Sequence, residues 1–457
     1  MTQRFDAIVV GAGQAGPPLA GRLTAAGRTV AVVERSLVGG TCVNSGCIPT
    51  KTLVASAHAA HVARRGDEYG VGITDVTVDM AKVKARKDKI MLGDRRGVED
   101  WIAGMPGCTL IRGHARFVGP KTLRIGEDQT IEADQIFLNV GGRAVVPDIP
   151  GLADVDYLTN VGILELDSVP EHLVIIGGSY IALEFAQMYR RFGARVTVVE
   201  KGPRLTSRED EDVSAAIKDI LEAEDITVVL GADAMRLSRT GSGFELTPRE
   251  GAAPITGSHL LVATGRRPNT DDLGLDAAGV QTDKRGYIVV DDQLRTNVEG
   301  IWAMGDCNGR GAFTHTSYND FEIVAANLLD DDPRRVSDRI PTYALYIDPP
   351  LGRAGMTVDE VRRTGRRALV GKRPMTRVGR AVEKGETQGF MKVVVDAETE
   401  QILGAAILGV GGDEVIHSIL DIMTAKKPYT AISRTMHIHP TVSELVPTML
   451  QELTPLD

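Results

Sequence analysis

The feature that most constrains this chain is a βαβ unit with a glycine-rich turn, and the chain contains it twice. The stretch DAIVVGAGQAG runs from a β-rich apolar strand directly into Gly11-x-Gly13-x-x-Gly16. The following PPLAGRLTAAG has a helical pattern, with Pro17 and Pro18 confined to the first turn, where proline is tolerated. TVAVVE then forms a second strand ending in Glu34. Each part has a task. The glycines permit a tight turn and close approach to a pyrophosphate, the helix N-terminus attracts its charge, and the glutamate accepts from ribose hydroxyls. A lone glycine triplet is weak evidence; bracketed by strand, helix and a strand-terminal acid, it becomes specific.

The second copy begins at HLVIIGGSYIALEFAQMYRRFGARVTVVE. Gly177 takes the place of Gly11, and Glu200 follows 23 residues on, the same interval as Gly11 to Glu34. Ser179 and Ala182 replace the second and third glycines. Alanine is accepted at the third place, whereas serine at the second brings a side chain toward the pyrophosphate. An ordinary βαβ unit without a ligand is the competing account of this copy. Two dinucleotide sites in one chain point to a flavin and a nicotinamide.

Length and composition set the outer limits. A chain of 457 residues has room for about three domains. A net charge of −9, spread along the chain, gives no footprint for nucleic acid. MTQRFDAIVVGAG has no long apolar core of the signal-peptide kind, and no apolar run is long enough to cross a bilayer. Four cysteines in such a chain imply a reducing compartment, so a cytoplasmic protein is expected.

Two of the four cysteines, Cys42 and Cys47, sit five positions apart in GGTCVNSGCIPTK, while Cys108 and Cys307 are isolated. A zinc site usually wants two short pairs or matching histidines, so no metal site is expected. A structural staple closing so short a loop would constrain the unfolded chain little. A redox pair that opens and closes in turnover and two inert buried cysteines both remain open on spacing alone.

Two further strands end in glycine, DQIFLNVGG at Gly141 and HLLVATGRRP at Gly265, and GIWAMGDC runs into Gly305-Asp306. The first two are read as returns toward each nucleotide domain. An acid at a strand end beside a flavin holds a ribityl hydroxyl, although on pattern alone Asp306 is equally a helix cap.

Taken together, GAGQAG, GGTCVNSGCIPTK, GGSYIALE, ATGRRPN, AMGDC and HIHPTVSE resemble the class I pyridine nucleotide–disulfide oxidoreductases, which include dihydrolipoyl dehydrogenase, glutathione reductase and mercuric reductase. The resemblance covers nearly the whole chain. It implies an α/β fold with two Rossmann-like dinucleotide-binding domains and a C-terminal α+β dimerisation domain. FAD would be bound by residues 1–150 joined by 275–340, and NAD(P) by 151–274 inserted between them. Residues 341–457 would dimerise. The resemblance further implies that Cys47 faces the flavin, that Cys42 is the interchange thiol, and that Lys51 sits by the flavin ring with Glu184 as its partner. Tyr180, four residues before Glu184, would gate the nicotinamide pocket. Gly40, Thr41, Gly141 and Asp306 would join Gly11, Gly13, Gly16 and Glu34 around FAD, with Gly177, Glu200 and Gly265 around the nicotinamide nucleotide. His439 and Glu444 match the family's acid–base dyad, which reaches the other subunit's disulfide and so requires a homodimer; His437 is the weaker candidate.

The chain departs from the family in three places. It has Asn139-Val140-Gly141 where many relatives have Ala-Thr-Gly, and it ends in PTMLQELTPLD without the adjacent cysteines of mercuric reductases. It also lacks their N-terminal metal-binding domain. It keeps the His–Glu dyad that mercuric reductases lack, yet Thr376 to Asp396 is similar to that branch. The expected function is therefore FAD-dependent reduction of a small disulfide or thiophilic acceptor by NAD(P)H, in a mercuric-reductase-like enzyme. NADH is favoured because Glu200 repels a 2′-phosphate, although Lys201 and Arg204 follow it. The alternatives are a dihydrolipoyl dehydrogenase of a lipoyl complex and, in a different class, a flavin diaphorase or non-catalytic complex subunit.

Overall fold

The computed structural model describes residues 2–241 and 243–456. Strand β1 (Gln3–Val10), helix α1 (Gly16–Ala25) and strand β2 (Val30–Glu34) form the first unit, with β1 and β2 parallel and Ile8 opposite Ala31. Every position of β2 is buried, as in parallel strands covered on both faces. Helices α2 (Gly40–Ser45) and α3 (Cys47–Arg64) carry the cysteine pair, followed by the long helix α4 (Met80–Ala103), whose N-cap Asp79 accepts from the Lys82 amide. Strands β3 (Cys108–Arg112), β4 (Ala115–Gly119), β5 (Thr122–Ile125) and β6 (Gln129–Leu138) extend the sheet in the order β3-β2-β1-β6-β5-β4.

The second unit repeats the pattern with β7 (His172–Ile176), α5 (Tyr180–Phe192), β8 (Arg195–Val199), α6 (Glu211–Ala223), β9 (Thr227–Val229) and β10 (His259–Val262). Its parallel sheet runs β9-β8-β7-β10, with a short strand at Tyr157–Leu158 on the edge. The chain then returns to the first sheet. Strand β11 (Ile301–Ala303) pairs with β6, Ile301 opposite Ile136, and leads to helix α7 (Thr314–Leu329). The second unit is thus an insertion in the first.

A third, antiparallel sheet follows, built from β12 (Thr342–Leu345), β13 (Leu351–Gly355), β14 (Ala368–Pro374), β15 (Phe390–Asp396) and β16 (Ile402–Leu408) in the order β12-β13-β16-β15-β14. Helix α8 (Gly412–Thr424) packs on it with Val415, Ile416 and Ile419 buried. The third sheet and the second unit share one apolar core, in which Leu345, Leu351 and Phe390 join Leu183, Val213 and Ile217. The same junction holds a buried ion cluster. Arg191 on α5 donates to Glu224 at 2.7 and 2.8 Å and to Asp348 at 2.7 Å, because a buried guanidinium is tolerated only when paired. Among the described residues, no helix is long and apolar enough to cross a membrane.

Candidate active site

One cleft of about 1520 Å³ runs from the glycine loop of the first unit, past the cysteines, to the glycine loop of the second. Gly11, Gly13, Glu34, Gly40, Thr41, Gly141 and Asp306 all line it, as do Cys42, Cys47 and Lys51. So do Gly177, Tyr180, Glu184, Glu200 and Gly265. Gly16 does not. Its role is packing, since a Cβ there would lie 2.2 Å from the Gly11 carbonyl oxygen.

The first loop has the geometry a dinucleotide needs. Gly11 has φ +105°, and a Cβ on it would lie 2.2 Å from the Asn139 carbonyl oxygen, so only glycine fits. Glu34 is clamped by its own loop, with one carboxylate oxygen accepting from Ala12 N–H at 2.9 Å and the other from Ser36 N–H at 2.8 Å. The Asn139 side chain donates to the Gly11 carbonyl at 3.3 Å, which gives a physical account of the Asn-Val-Gly departure: the amide braces the turn. At the far side Arg266 donates to the Gly142 carbonyl at 2.6 Å and lies 3.6 Å from Asp306. Burial pushes the Asp306 carboxyl up, and the Arg266 charge opposes that shift. This cradle of backbone amides, with an acid at the strand end, fits FAD.

The two cysteines are electrostatically unlike. Cys47 is the first residue of α3, and its sulfur lies 3.0 Å from the hydroxyl of Thr314, the first residue of α7. Two helix N-termini therefore converge on one sulfur, an arrangement that favours negative charge. The hydrogen bond from Cys42 lowers Cys47 to about 6, with Thr314 and the Lys51 charge adding to the effect and burial opposing it. The same bond, together with burial, pushes Cys42 far above the ordinary thiol range. Lys51 donates to Glu184 at 2.7 Å, and the other Glu184 oxygen accepts from Tyr346 N–H at 3.0 Å. The Lys51 ammonium also stands 4.6 Å over the Tyr346 ring.

In the second unit Gly177 has φ +118°, and a Cβ there would lie 2.4 Å from the Ala263 carbonyl oxygen. Glu200 accepts from the Gly202 amide at 2.7 Å. Arg204 turns back to the Ser207 carbonyl at 3.1 Å. Tyr180 opens α5 and packs against Tyr343 and Phe313, with ring centroids 5.5 and 6.4 Å away.

His439 and Glu444 are joined at 2.8 Å through the imidazole Nδ1, but they lie outside the cleft, and the His439 side chain is 80% exposed. His437 is occupied instead by the Ser443 carbonyl, 2.7 Å from its Nδ1. Within one chain the dyad and the cysteines are therefore not brought together. Sequence reasoning missed Thr314, which sits in GAFTHTSY and meets Cys47 only through folding, and it missed the bracing role of Asn139. Among the described residues, no group of three or more His, Cys, Asp or Glu side chains gathers as a metal site.

Comparison with known proteins adds the following. The family model described as pyridine nucleotide-disulphide oxidoreductase matches residues 5–320, and the dimerisation domain of that family matches residues 341–450. The chain is 35% identical over 449 residues to the probable pyridine nucleotide-disulfide oxidoreductase RclA of Escherichia coli (strain K12), covering 96% of this chain and 97% of the relative. It is 33% identical to mercuric reductase of Streptomyces lividans, covering 98% and 96%. It is 34% identical to dihydrolipoyl dehydrogenase of Chlorobaculum parvum, covering 97% and 96%. Among solved structures, the Cu(II) complex of the HOCl-induced flavoprotein disulfide reductase RclA from Escherichia coli matches with a TM-score of 0.90 at 34% identity, covering 99% of each chain.

Proposed function

The chain belongs to the pyridine nucleotide-disulphide oxidoreductase family, and from that premise we propose that it uses NADH to reduce a small disulfide or a thiophilic metal ion through the Cys42–Cys47 pair. It is an FAD-dependent oxidoreductase. FAD, when bound, relays the two electrons of the nicotinamide to the cysteine pair. The observation that supports this reading is the placement of Cys47 at the start of one helix, 3.0 Å from the Thr314 hydroxyl at the start of another.

Once the pair is reduced, Cys47 holds the negative charge and Cys42 keeps its proton. Cys42 must lose that proton to attack. The proposed base is His439 of a second subunit: Glu444 engages Nδ1, which leaves Nε2 to take the proton. Cys42 then attacks one sulfur of the acceptor disulfide, forming a mixed disulfide and expelling the first thiol, which the imidazolium protonates. Cys47 attacks the Cys42 sulfur, re-forms the intramolecular disulfide and releases the second product as a thiolate, which takes its proton from solvent. Two electrons have passed to the acceptor. Lys51 places a positive charge near Cys47, and Glu184 holds the lysine in place.

The same proposal covers the domain partition (1–150 with 275–340, 151–274, and 341–457), a homodimer through the dimerisation domain, and a cytoplasmic location. NADH is favoured because Glu200 faces the cleft while Arg204 is turned onto its own loop. A second reading, dihydrolipoyl dehydrogenase, is favoured by the preserved His439–Glu444 pair.

The deciding experiment measures NADH oxidation with lipoamide, glutathione disulfide, Cu²⁺ and Hg²⁺ for the parent and for His439→Ala. Acid–base assistance is worth about 10²–10⁴-fold, so a loss of that size confined to the disulfides is expected. Brisk mercury turnover unchanged by the substitution, with no disulfide accepted, would leave the metal ion as acceptor and overturn the disulfide chemistry and the role given to His439. Lipoamide as the sole efficient acceptor would establish the second reading.

A further inference from the structure

We propose that Glu209 is a positioning residue for the nicotinamide nucleotide, because its carboxylate ties the ring of Tyr180 to the third sheet. The proposal rests on the role assigned above to Tyr180 as the ring over the nicotinamide pocket. The Tyr180 hydroxyl donates to Glu209 Oε1 at 2.9 Å. Tyr343, on β12, donates to the same oxygen at 2.6 Å. The other oxygen is held by Arg353, on β13, at 2.7 Å from Nη2 and 3.1 Å from Nε. Burial, reinforced by the Glu209 charge, raises both phenols well above their ordinary range, so both remain donors.

This carboxylate cannot follow the ring if the ring moves. Glu209 is buried, and Arg353 is shared with Asp210 at 3.0 Å. Asp210 in turn pairs with Lys392 on β15, which also holds Asp212 at 2.6 Å. A buried charge cluster of this kind holds its geometry because displacing one member exposes the others uncompensated. The rest position of Tyr180, a residue of the second unit, is thus set by two strands of another domain.

The segment that delivers Glu209 also touches the nucleotide loop. Thr206 N–H donates to the Gly178 carbonyl at 2.8 Å, and the Thr206 carbonyl accepts from Glu209 N–H at 2.7 Å. Thr206 itself is held at φ +43°, a conformation unusual for a β-branched residue. The residue lines the cleft, and its buried hydroxyl has no partner among the described residues. Four consecutive residues, 206–209, therefore join the second glycine loop to the tyrosine. A nicotinamide ring entering this pocket meets a phenol that is already bonded. Apparent affinity then falls by the fraction of molecules in which the ring has let go.

The test titrates NAD⁺ into the FAD-loaded enzyme and its Tyr180→Phe, Tyr343→Phe, Glu209→Gln and Tyr180→Ala variants. Tyr180→Phe keeps the ring and loses the tether, so NAD⁺ should bind about tenfold more tightly, the size expected for one hydrogen bond to a charged group. Tyr343→Phe, which leaves the Tyr180 bond in place, should shift affinity less. Adding Glu209→Gln to Tyr180→Phe should change nothing more, whereas a merely structural Glu209 would act independently of the tyrosine hydroxyl. Glu209→Gln leaves Arg353 undercompensated and can fail to fold; in that event the two phenylalanine variants decide the matter alone. If Tyr180→Phe binds NAD⁺ as the parent does while Tyr180→Ala does not, the tether is wrong and the gate stands. If Tyr180→Ala also leaves binding unchanged, both fall.

Discussion

The two glycine loops share a turn but not a state of readiness. Gly11 and Gly177 both have positive φ, and a Cβ at either would strike the carbonyl of a residue beyond a neighbouring strand, Asn139 in one case and Ala263 in the other. Around that common turn the first loop is closed. Both Glu34 oxygens are bound by backbone amides, and the Asn139 amide braces Gly11. The second loop is open: among the described residues Glu200 accepts at one oxygen only, Ala263 has no side-chain amide to offer, and the buried Thr206 hydroxyl has no partner. Polar groups already satisfied within the protein hold a site rigid; groups left unsatisfied await a ligand that comes and goes. The contrast agrees with the proposed assignment of the first loop to a resident cofactor and the second to an exchanging one.

The contrast breaks most visibly at the first glycines. Gly11→Val should purify without flavin, whereas Gly177→Val should keep its flavin and raise the KM for NADH about a hundredfold, the equivalent of roughly 3 kcal/mol of overpacking and strain. Flavin absorbance per chain and steady-state kinetics read the two outcomes. If both variants lose flavin alike, the loops are not distinct sites.

If the first half of the cleft is set in advance, Cys47 should carry its charge before any nicotinamide binds. Alkylation of the reduced enzyme by iodoacetamide should rise with pH about a midpoint of about 6, because a lowered thiol pKa places the reactive thiolate at lower pH. Added NAD⁺ should leave that midpoint in place. Cys42→Ala, which removes the strongest stabilising hydrogen bond, should move it toward the ordinary thiol value of about 8.5.

Smaller effects sharpen the comparison at the two strand-terminal acids. Glu200→Gln should shift the ratio of kcat/KM about tenfold toward NADPH, worth about 1.4 kcal/mol, with Tm unchanged. Glu34→Gln should lower Tm instead, since it gives up an acceptor on which the loop depends. The smallest change is expected for Asn139→Ala, which should cost about 1 kcal/mol of stability in thermal unfolding while FAD is retained.

Much of this was legible in the sequence because the first loop and its acid are local. Gly11 and Glu34 belong to one βαβ unit, and the 23-residue interval recurs at Gly177 and Glu200. Cys42, Cys47 and Lys51 lie within ten positions of one another. Lys51 and Glu184 were paired by resemblance, and they meet at 2.7 Å. What escaped depends on contacts between distant segments. Thr314 reaches Cys47 across 267 positions, and Arg353 reaches Glu209 across 144. In the sequence Glu209 and Asp210 are simply part of the charged run SREDED, which shows no partner for either, yet both are buried. The Asn139 amide likewise carries no signal until β6 is seen beside the turn at Gly11.

The Arg191 cluster bears on how such chains can be recombined. Its members come from α5, from the residue after α6, and from the loop before β13, so the inserted second unit and the third sheet are keyed to each other by charge. A hybrid that exchanges only the inserted unit between relatives would bury an arginine or a carboxylate opposite the wrong neighbour. A workable crossover has to carry both sides of that lock, so that everything from Tyr157 onward, except the short return through β11 and α7, is inherited as one block.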